Sequence, residues 1–386
     1  MPKTPSPARF EHIDAMRAVA VFLVMWTHYA ELFAPLAGSA RILNDVQVSW
    51  DFGRIGVVIF FCISGMLIPT SLKDSYREGT RCFLIRRFFR LFPAFWLSLP
   101  IGYFAYWMIF GNHMSGLALL ANVTMVPGVF GMNPVMGHYW TLETELYFYL
   151  FCLVLFWCGC LHTMRYLCLV CAGLCVLFVS VSALHIIPDS TPGPYRSLPY
   201  NLAIMFWGAC FRQAYDAPST RVQLLWARGS ASQISASYGL VVAALAAMII
   251  LVALLMAAYY WRHSDNHVAT SLAYVAGIAI FLVFATILKI RTRLFAWLGK
   301  ISYSIYLLHG IALYLLFWVF QRVHWVGGPL WLYMIAPVVP SIALSWLSYR
   351  LCEAPFVKLA RTLTAKRAPD EIPLSASEKC SSISSK

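Results

Sequence analysis

The sequence predicts an all-α protein that crosses a lipid bilayer about ten times, with both termini in the cytosol. Of its 386 residues 60% are hydrophobic and only 12% are charged, and the mean hydropathy is +0.70. Water-soluble domains are about 45–50% apolar and about 25% charged. Long apolar runs recur along the chain, and basic residues fall between them. The chain therefore lacks the polar surface of a soluble globule, and we predict an integral membrane protein.

Ten apolar runs are long enough to span a bilayer, which takes about 20 helical residues. They lie near residues 13–34, 53–72, 90–110, 140–160, 166–187, 198–215, 237–261, 268–290, 301–320 and 328–350. The first run could instead be a cleavable signal peptide, because basic residues precede it. Its spanning length between Ile13 and Phe33 and its ionisable residues favour a transmembrane helix.

The distribution of basic residues predicts the orientation, because cytosolic loops are enriched in Lys and Arg. With the N-terminus inside, 24 of the 29 Lys and Arg fall on the cytosolic side. The five that remain outside are Arg41, Arg54, Arg196, Arg262 and Arg322. An even number of spans then returns the C-terminus to the cytosol.

Two segments between and after the spans differ from the rest in composition. The outer loop 111–139 has no Lys or Arg and is rich in Gly, Asn, Met and Pro, so we expect irregular or re-entrant structure. Residues 362–386 are Ser-rich and charged, which is typical of disorder. We predict a single transmembrane domain over residues 1–361 and a disordered cytosolic tail over 362–386.

Ionisable side chains inside the first and fourth spans are candidates for catalysis, because such groups are costly in lipid. Arg17 and His28 are eleven residues apart, about 16 Å along a helix, so His28 lies in the outer half of the membrane. Glu145 enters the fourth span from outside to about the same depth. We therefore predict an acid–base pair of His28 and Glu145, with Glu143 as the competing carboxylate. A buried His that only hydrogen-bonds a neighbouring helix is the alternative.

A basic cluster precedes the third span. Arg87 and Arg90 are three residues apart and share a helix face, with Arg86 beside them. Guanidinium groups bind phosphate through paired hydrogen bonds, which predicts an anion site at the cytosolic mouth. Simple positive-inside anchoring explains the same residues equally well.

The ninth and tenth spans carry further polar groups. Ser302, Tyr306 and His309 recur at helical spacing and predict a polar stripe on the ninth span, with Tyr303 pointing partly elsewhere. Packing between helices is the competing explanation. Arg350 and Glu353 close the tenth span, where we expect an ion pair that fixes the helix end.

Six segments in this order resemble the acyltransferase 3 family of integral membrane acyltransferases. They are Ile13–Ala18 with His28, Ile63–Ile68, Arg86–Pro93, Trp140–Glu145 with Phe148 and Tyr149, Gly299–His309, and Tyr349–Phe356. Each segment alone is a weak signal, but six in the right order over residues 13–356 are specific.

The resemblance implies acyl transfer, usually of acetyl from acetyl-CoA, to hydroxyls of extracytoplasmic or membrane-linked glycans. It places the family's functional positions at Arg17, His28, Arg87 and Arg90, and its carboxylate at Glu145. The chain departs from the family pattern at Glu143, where Ser is frequent, and at Leu146, where a second acidic residue is frequent. We expect eight further residues to support substrate binding or the structure: Asp14, Trp140, Glu143, Tyr149, Ser302, Tyr303, His309 and Glu353.

The expected reaction uses acetyl-CoA held by Arg87 and Arg90, with Arg86 and Arg17 nearby, and His28 to deprotonate a sugar hydroxyl. Direct transfer and an acyl-histidine relay both stay open. The resemblance implies a bacterial inner membrane location and glycan-assembly partners. No metal is expected, since no Cys or His has zinc-site spacing, and the scattered charge excludes nucleic acid. The alternative function is a transporter or flippase for a lipid-linked sugar or small metabolite.

Overall fold

The computed structural model describes residues 11–37, 50–188, 191–225, 234–263 and 267–365, and most of them are helical. The α-helices are α1 (Glu11–Phe33), α2 (Phe52–Leu67), α3 (Tyr76–Tyr106), α4 (Gly116–Val123), α5 (Trp140–Trp157), α6 (Met164–Ala183), α7 (Gly193–Arg196), α8 (Leu198–Asp216), α9 (Tyr238–Arg262), α10 (Val268–Leu282), α11 (Arg293–Lys300), α12 (Ser302–Arg322), α13 (Leu330–Ile335), α14 (Val338–Ser348) and α15 (Ala354–Leu363). Two π-helical turns follow α10 and α14, at Val283–Ile287 and Tyr349–Glu353. Short 3-10 helices are Pro69–Ser71, Met108–Phe110, Pro127–Phe130 and Gly137–Tyr139.

A helix lies at each of the ten predicted span positions. Among the described residues, seven helical stretches are long and apolar enough to cross a membrane. The other three positions hold α1, α5 and α8, which carry ionisable residues such as Arg17, Glu145 and Arg212. A mainly helical membrane fold is thus confirmed, while the count of ten spans and the cytosolic termini stay predictions.

Helix α3 begins well before the predicted third span, which started near residue 90. Ser75 caps the helix by accepting a hydrogen bond from the Glu78 amide, and Ser followed three residues later by Glu is a typical helix start. Its 31 residues extend about 46 Å, more than a bilayer core needs. Arg86, Arg87 and Arg90 therefore lie on a continuous helix rather than in a loop.

Helix α2 packs at the centre through small residues. A Cβ on Gly65 would overlap the Met205 carbonyl of α8, and one on Gly56 would overlap the Ala20 carbonyl of α1. Close backbone approach at small residues is typical of helices that associate in lipid. The cysteines of the described part are free thiols, most of them buried in this core, as expected for small packing residues.

A β-hairpin departs from the predicted all-α fold. Strands β1 (Arg221–Leu225) and β2 (Ile234–Ser237) pair antiparallel between α8 and α9. The prediction considered only apolar runs of membrane length, and a strand of four or five residues outside the membrane has none. The hairpin adjoins Ser237, whose hydroxyl caps α9 by accepting from the Leu240 amide.

Segment 111–139, predicted to be an outer loop, combines short helices with tight turns. Asn122 at the end of α4 organises it: the side-chain amide donates to the Asn133 carbonyl, and the side-chain oxygen accepts from the Val135 amide. Trp107, directly after α3, also donates to the Val135 carbonyl. These bonds fix the chain that leads into His138.

The C-terminal helix extends past the predicted domain boundary at residue 361. α15 runs to Leu363, and its end contacts α3, where Arg86 Nε donates to the Thr364 hydroxyl over 2.8 Å. Residues 366–386 of the predicted tail lie outside the described residues. The described part of the tail therefore belongs to the folded domain.

Candidate active site

Polar side chains, some of them buried, gather at two levels of the helical bundle. One level holds three imidazoles from α1, α12 and the turn before α5. The other holds arginines from α1, α3 and α15 beside the start of α12. We call these levels the histidine cluster (His28, His138 and His309) and the arginine cluster (Arg17, Arg86, Arg87, Arg90 and Arg361).

The three rings of the histidine cluster touch one another. His138 and His309 centroids are 4.6 Å apart, His28 and His309 are 5.5 Å apart, and His28 and His138 are 5.9 Å apart. His309 is fully buried and His138 is 7% exposed, whereas His28 keeps about a third of its side chain exposed. Gly310 makes room for this contact, because a Cβ there would lie 3.2 Å from His138 Cε1.

Hydrogen bonds orient these rings. His309 Nδ1 faces the carbonyls of Tyr306 and Ile305 at 2.8 and 3.1 Å. Carbonyls only accept, so Nδ1 carries the proton and Nε2 keeps its lone pair. Within the described residues, Nε2 of His309 and Nε2 of His138 lack a hydrogen-bond partner. The cluster therefore presents buried nitrogens that are open to a ligand.

The carboxylate beside His28 is Glu31 rather than Glu145. His28 Nδ1 lies 3.2 Å from Glu31 Oε2, while Glu145 accepts a hydrogen bond of 2.7 Å from the Tyr149 hydroxyl. The 3-10 turn before α5 places His138 at the level of His28, and Glu145 is seven residues further, about 10 Å deeper. The structure thus does not bring the predicted acid–base pair together.

The arginine cluster, apart from Arg17, lines a cavity of about 190 Å³. Its walls are Ser71, Phe83, Arg86, Arg87, Arg90, Val357, Ala360 and Arg361. Arg87 Nη2 donates to the Ser71 hydroxyl over 3.2 Å, and its guanidinium lies over the rings of Phe83 and Tyr149. Four guanidinium groups around one small cavity form a site for an anion such as a phosphate.

Carboxylates balance the deeper arginines of this cluster. Arg17 pairs with Asp14 over 3.0 Å. Arg90 lies 3.9 Å from Glu353, which is 2% exposed and also accepts from the Ser304 hydroxyl at 2.9 Å. The expected ion pair of Arg350 with Glu353 is not formed: Arg350 lies over the Trp346 ring, because the π-helical turn directs Glu353 inward.

Glu145 lies beside the arginine cluster. It lies within electrostatic range of Arg90, and of Tyr303, whose hydroxyl donates to the Leu91 carbonyl of α3. Tyr149 connects the two groups, since its hydroxyl bonds Glu145 and its ring lies under Arg87.

Polar side chains link the two clusters. The Tyr306 hydroxyl donates to the His138 carbonyl over 2.6 Å and shares a 2.6 Å hydrogen bond with the Thr141 hydroxyl. Thr141 precedes Glu145 by one helical turn on the same face of α5. These polar side chains form a series, which runs from the imidazoles through Tyr306 and Thr141 to Glu145 and the arginines.

The remaining predicted residues lie around this series. Glu143 is buried on another face of α5, where it accepts from the hydroxyls of Tyr147 and Tyr195 at 2.7 and 3.1 Å. Burial and the neighbouring Glu143 raise the pKa of Tyr195 to about 12. Trp140 lies under the Arg54 guanidinium at 5.0 Å, and Ser302 is buried at the start of α12.

Sequence reasoning missed two members of the clusters, His138 and Arg361, and two residues beside the site, Glu31 and Arg54. His138 lay in a loop predicted to be irregular, Glu31 at the edge of the first span, Arg361 at the border of the predicted tail, and Arg54 among residues assigned to topology alone. A signal existed for His138, which directly precedes the Tyr139-Trp140 start of α5. The others depend on which helices are neighbours.

A helical bundle of membrane dimensions with an enclosed imidazole cluster and an arginine-lined cavity has the architecture of an integral membrane enzyme. The chain belongs to the acyltransferase 3 family, whose model, described as an acyltransferase domain, matches residues 10–350. It is also 26% identical over 396 aligned positions to Nodulation protein 10 of Rhizobium leguminosarum bv. viciae, covering 92% of this chain and 95% of that protein. No solved structure matches the chain significantly. The protein is thus a membrane acyltransferase.

Proposed function

We propose that the protein moves an acetyl group from cytosolic acetyl-CoA to a hydroxyl of an extracytoplasmic or lipid-linked glycan. The observation that carries this proposal is the pair of clusters, which offers an anion site at one level and imidazoles at another. The acceptor would be a cell-surface or exopolysaccharide, met with its glycan-assembly machinery in the bacterial inner membrane, where cytosolic donor and external acceptor share one bilayer.

The donor site is the arginine-lined cavity. Coenzyme A is strongly anionic, and Arg87 and Arg361 can bind its phosphates with charge-assisted hydrogen bonds. Arg90 and Arg17 are held by Glu353 and Asp14, so they add positive potential more than direct contacts. The acetyl thioester would then extend along Tyr149, Glu145 and Tyr306 toward the imidazoles.

The acceptor site is the histidine cluster. His28 is the exposed ring of the three, and Glu31 beside its Nδ1 favours the tautomer with a lone pair on Nε2. That lone pair can take the proton of a sugar hydroxyl as the hydroxyl oxygen attacks the thioester carbonyl, and coenzyme A leaves as the thiol.

Purified protein in lipid vesicles, given acetyl-CoA with a labelled acetyl group, tests the proposal. We expect label to move to glycan when acceptor is present. His28→Ala should abolish that transfer while the protein stays folded and inserted. Passage of sugar across the vesicle membrane without any acetyl turnover would show a carrier and overturn the proposal.

A further inference from the structure

We propose that His28, His138 and His309 bind one divalent transition-metal ion of the zinc type. Three imidazoles from three separate segments converge in the structure, and each offers one ring nitrogen within 4.8 Å of the other two. Metal binding is independent of the proposed function. A His28 nitrogen that binds the ion cannot also take a proton, so the metal-bound protein would activate the acceptor hydroxyl through the open position of the ion, and that role rests on the proposed function.

The distances suit a three-histidine site. Zinc–nitrogen bonds are about 2.0–2.1 Å, which sets ligand nitrogens about 3.3 Å apart in a tetrahedron. Rings whose nitrogens already lie within 4.8 Å reach that spacing by small side-chain rotations. Among the described residues, this is the group that brings three metal-ligating atoms together.

Outer hydrogen bonds hold the rings as metal ligands are held. Ligating histidines donate their second ring N–H to a carboxylate or a carbonyl. His309 donates Nδ1–H to the Tyr306 carbonyl, and His28 Nδ1 faces the Glu31 carboxylate. The nitrogens this leaves, Nε2 of His309 and of His138, are buried and find no partner in the part of the chain that the structure describes. Such unsatisfied buried atoms require an explanation, and a metal ion supplies it.

The donor set selects the kind of metal. Imidazole nitrogens suit zinc, cobalt, nickel or copper, whereas magnesium and calcium prefer oxygen ligands. Three protein ligands leave a fourth position open, as in catalytic zinc sites. Because His28 is the partly exposed member, the open position faces the side from which an acceptor hydroxyl would arrive.

No metal site was predicted from the sequence because only Cys and His residues close together in the chain are recognisable as one. The three ligands here are about 110 and 170 residues apart, so only the fold assembles them. His12 offers a matched contrast on the same helix as His28. It is also buried with both ring nitrogens unpartnered among the described residues, but it belongs to no three-ligand group.

The test uses the full chain in detergent, stripped of metal with a chelator and titrated with Co²⁺. We expect about one ion per chain, with the visible absorption of tetrahedral cobalt, and an increase in melting temperature on binding. His138→Asn and His309→Asn should each remove the signal, and His12→Asn should keep it. Glu31→Gln should weaken affinity about 10–100-fold, as expected for a residue that orients a ligand.

Failure of the wild-type protein to bind cobalt or zinc would overturn the metal site, whether or not the variants fold. Retention of full cobalt absorption in both His138→Asn and His309→Asn would overturn it as well. The acetyl-transfer assay gives an independent result: cobalt binding without any acetyl transfer would reject the proposed function but keep the metal site. Acetyl transfer by protein stripped of metal would overturn a role of the ion in the reaction, whereas the cobalt titration alone decides whether the site exists.

Discussion

The histidine cluster and the arginine cluster use their polar groups in opposite ways. At the arginine cluster, each of the four arginines from α1 and α3 has an internal partner: Asp14, Thr364, Ser71 or Glu353. At the histidine cluster, two buried nitrogens have no partner in the described residues. The first arrangement fixes charge permanently around a cavity, and the second keeps lone pairs open. Under the proposed function, donor binding and acceptor activation are therefore separable, and substitutions can test each.

Loss of His28 should give the largest effect. His28→Ala removes the exposed member of the histidine cluster, and we expect acetyl transfer to fall about 10²–10⁴-fold, as for loss of a general base. Acetyl-CoA affinity should be unchanged, because the arginines are untouched. His113→Ala, an exposed outer-loop residue, is the control. Equal losses of transfer and donor binding in His28→Ala would contradict the separation of the two clusters.

Substitution of Glu353 should give the second-largest effect, on stability. It is buried with Arg90 and Ser304, and removing one partner of a buried ion pair typically costs about 3–5 kcal/mol. Glu353→Ala should lower thermal stability in detergent accordingly. The matched control is Glu78→Ala, whose exposed pair with Arg81 is worth about 0–1 kcal/mol. Similar melting temperatures for the two variants would mean that Arg90 does not depend on Glu353.

Removal of arginines from the cavity should have a smaller effect than the two substitutions above, and it should lower the affinity for acetyl-CoA. Arg87→Ala combined with Arg361→Ala deletes two phosphate-binding groups, and hydrogen bonds to charged groups are each worth about 1.5–3 kcal/mol. Calorimetry should show acetyl-CoA binding weakened at least about tenfold, with cobalt binding unaffected. Arg350→Ala, whose guanidinium lies over Trp346, should bind donor normally. Unchanged affinity in the double variant would reduce these residues to anchors of topology.

Substitution of either carboxylate of α5, Glu143 or Glu145, should give the smallest effects. Glu145 lies in the series between the clusters, whereas Glu143 bonds Tyr147 and Tyr195. Glu145→Gln should reduce transfer measurably, and Glu143→Gln should cost about 1 kcal/mol of stability through weaker hydrogen bonds with little change in rate. A reversed result would assign the functional carboxylate to Glu143.

The sequence was a good guide to what depends on composition. Helices occur at all ten predicted positions because lipid-facing stretches must be apolar and satisfy their own backbone. Arg87 and Arg90 share a cavity because three-residue spacing fixes one helix face. Neither inference requires knowledge of which helices are neighbours.

The sequence was a poor guide to pairings across helices. Equal depth suggested Glu145 for His28, but depth leaves the direction around the helix axis undetermined. The partner of Glu353 proved to be Arg90, more than 250 residues away, instead of the nearby Arg350. His138 was missed because a loop without apolar periodicity gives no depth at all.

The position of α15 has a practical consequence for engineering. The helix supplies Val357, Ala360 and Arg361 to the wall of the arginine-lined cavity, and Thr364 just after it bonds Arg86. A truncation that removes this helix would open the cavity to solvent on one side. A reporter protein fused after Ala365 would keep that wall. Inactivity of a chain shortened before Ala354 is therefore expected from damage to the arginine-lined cavity, even where membrane insertion is normal.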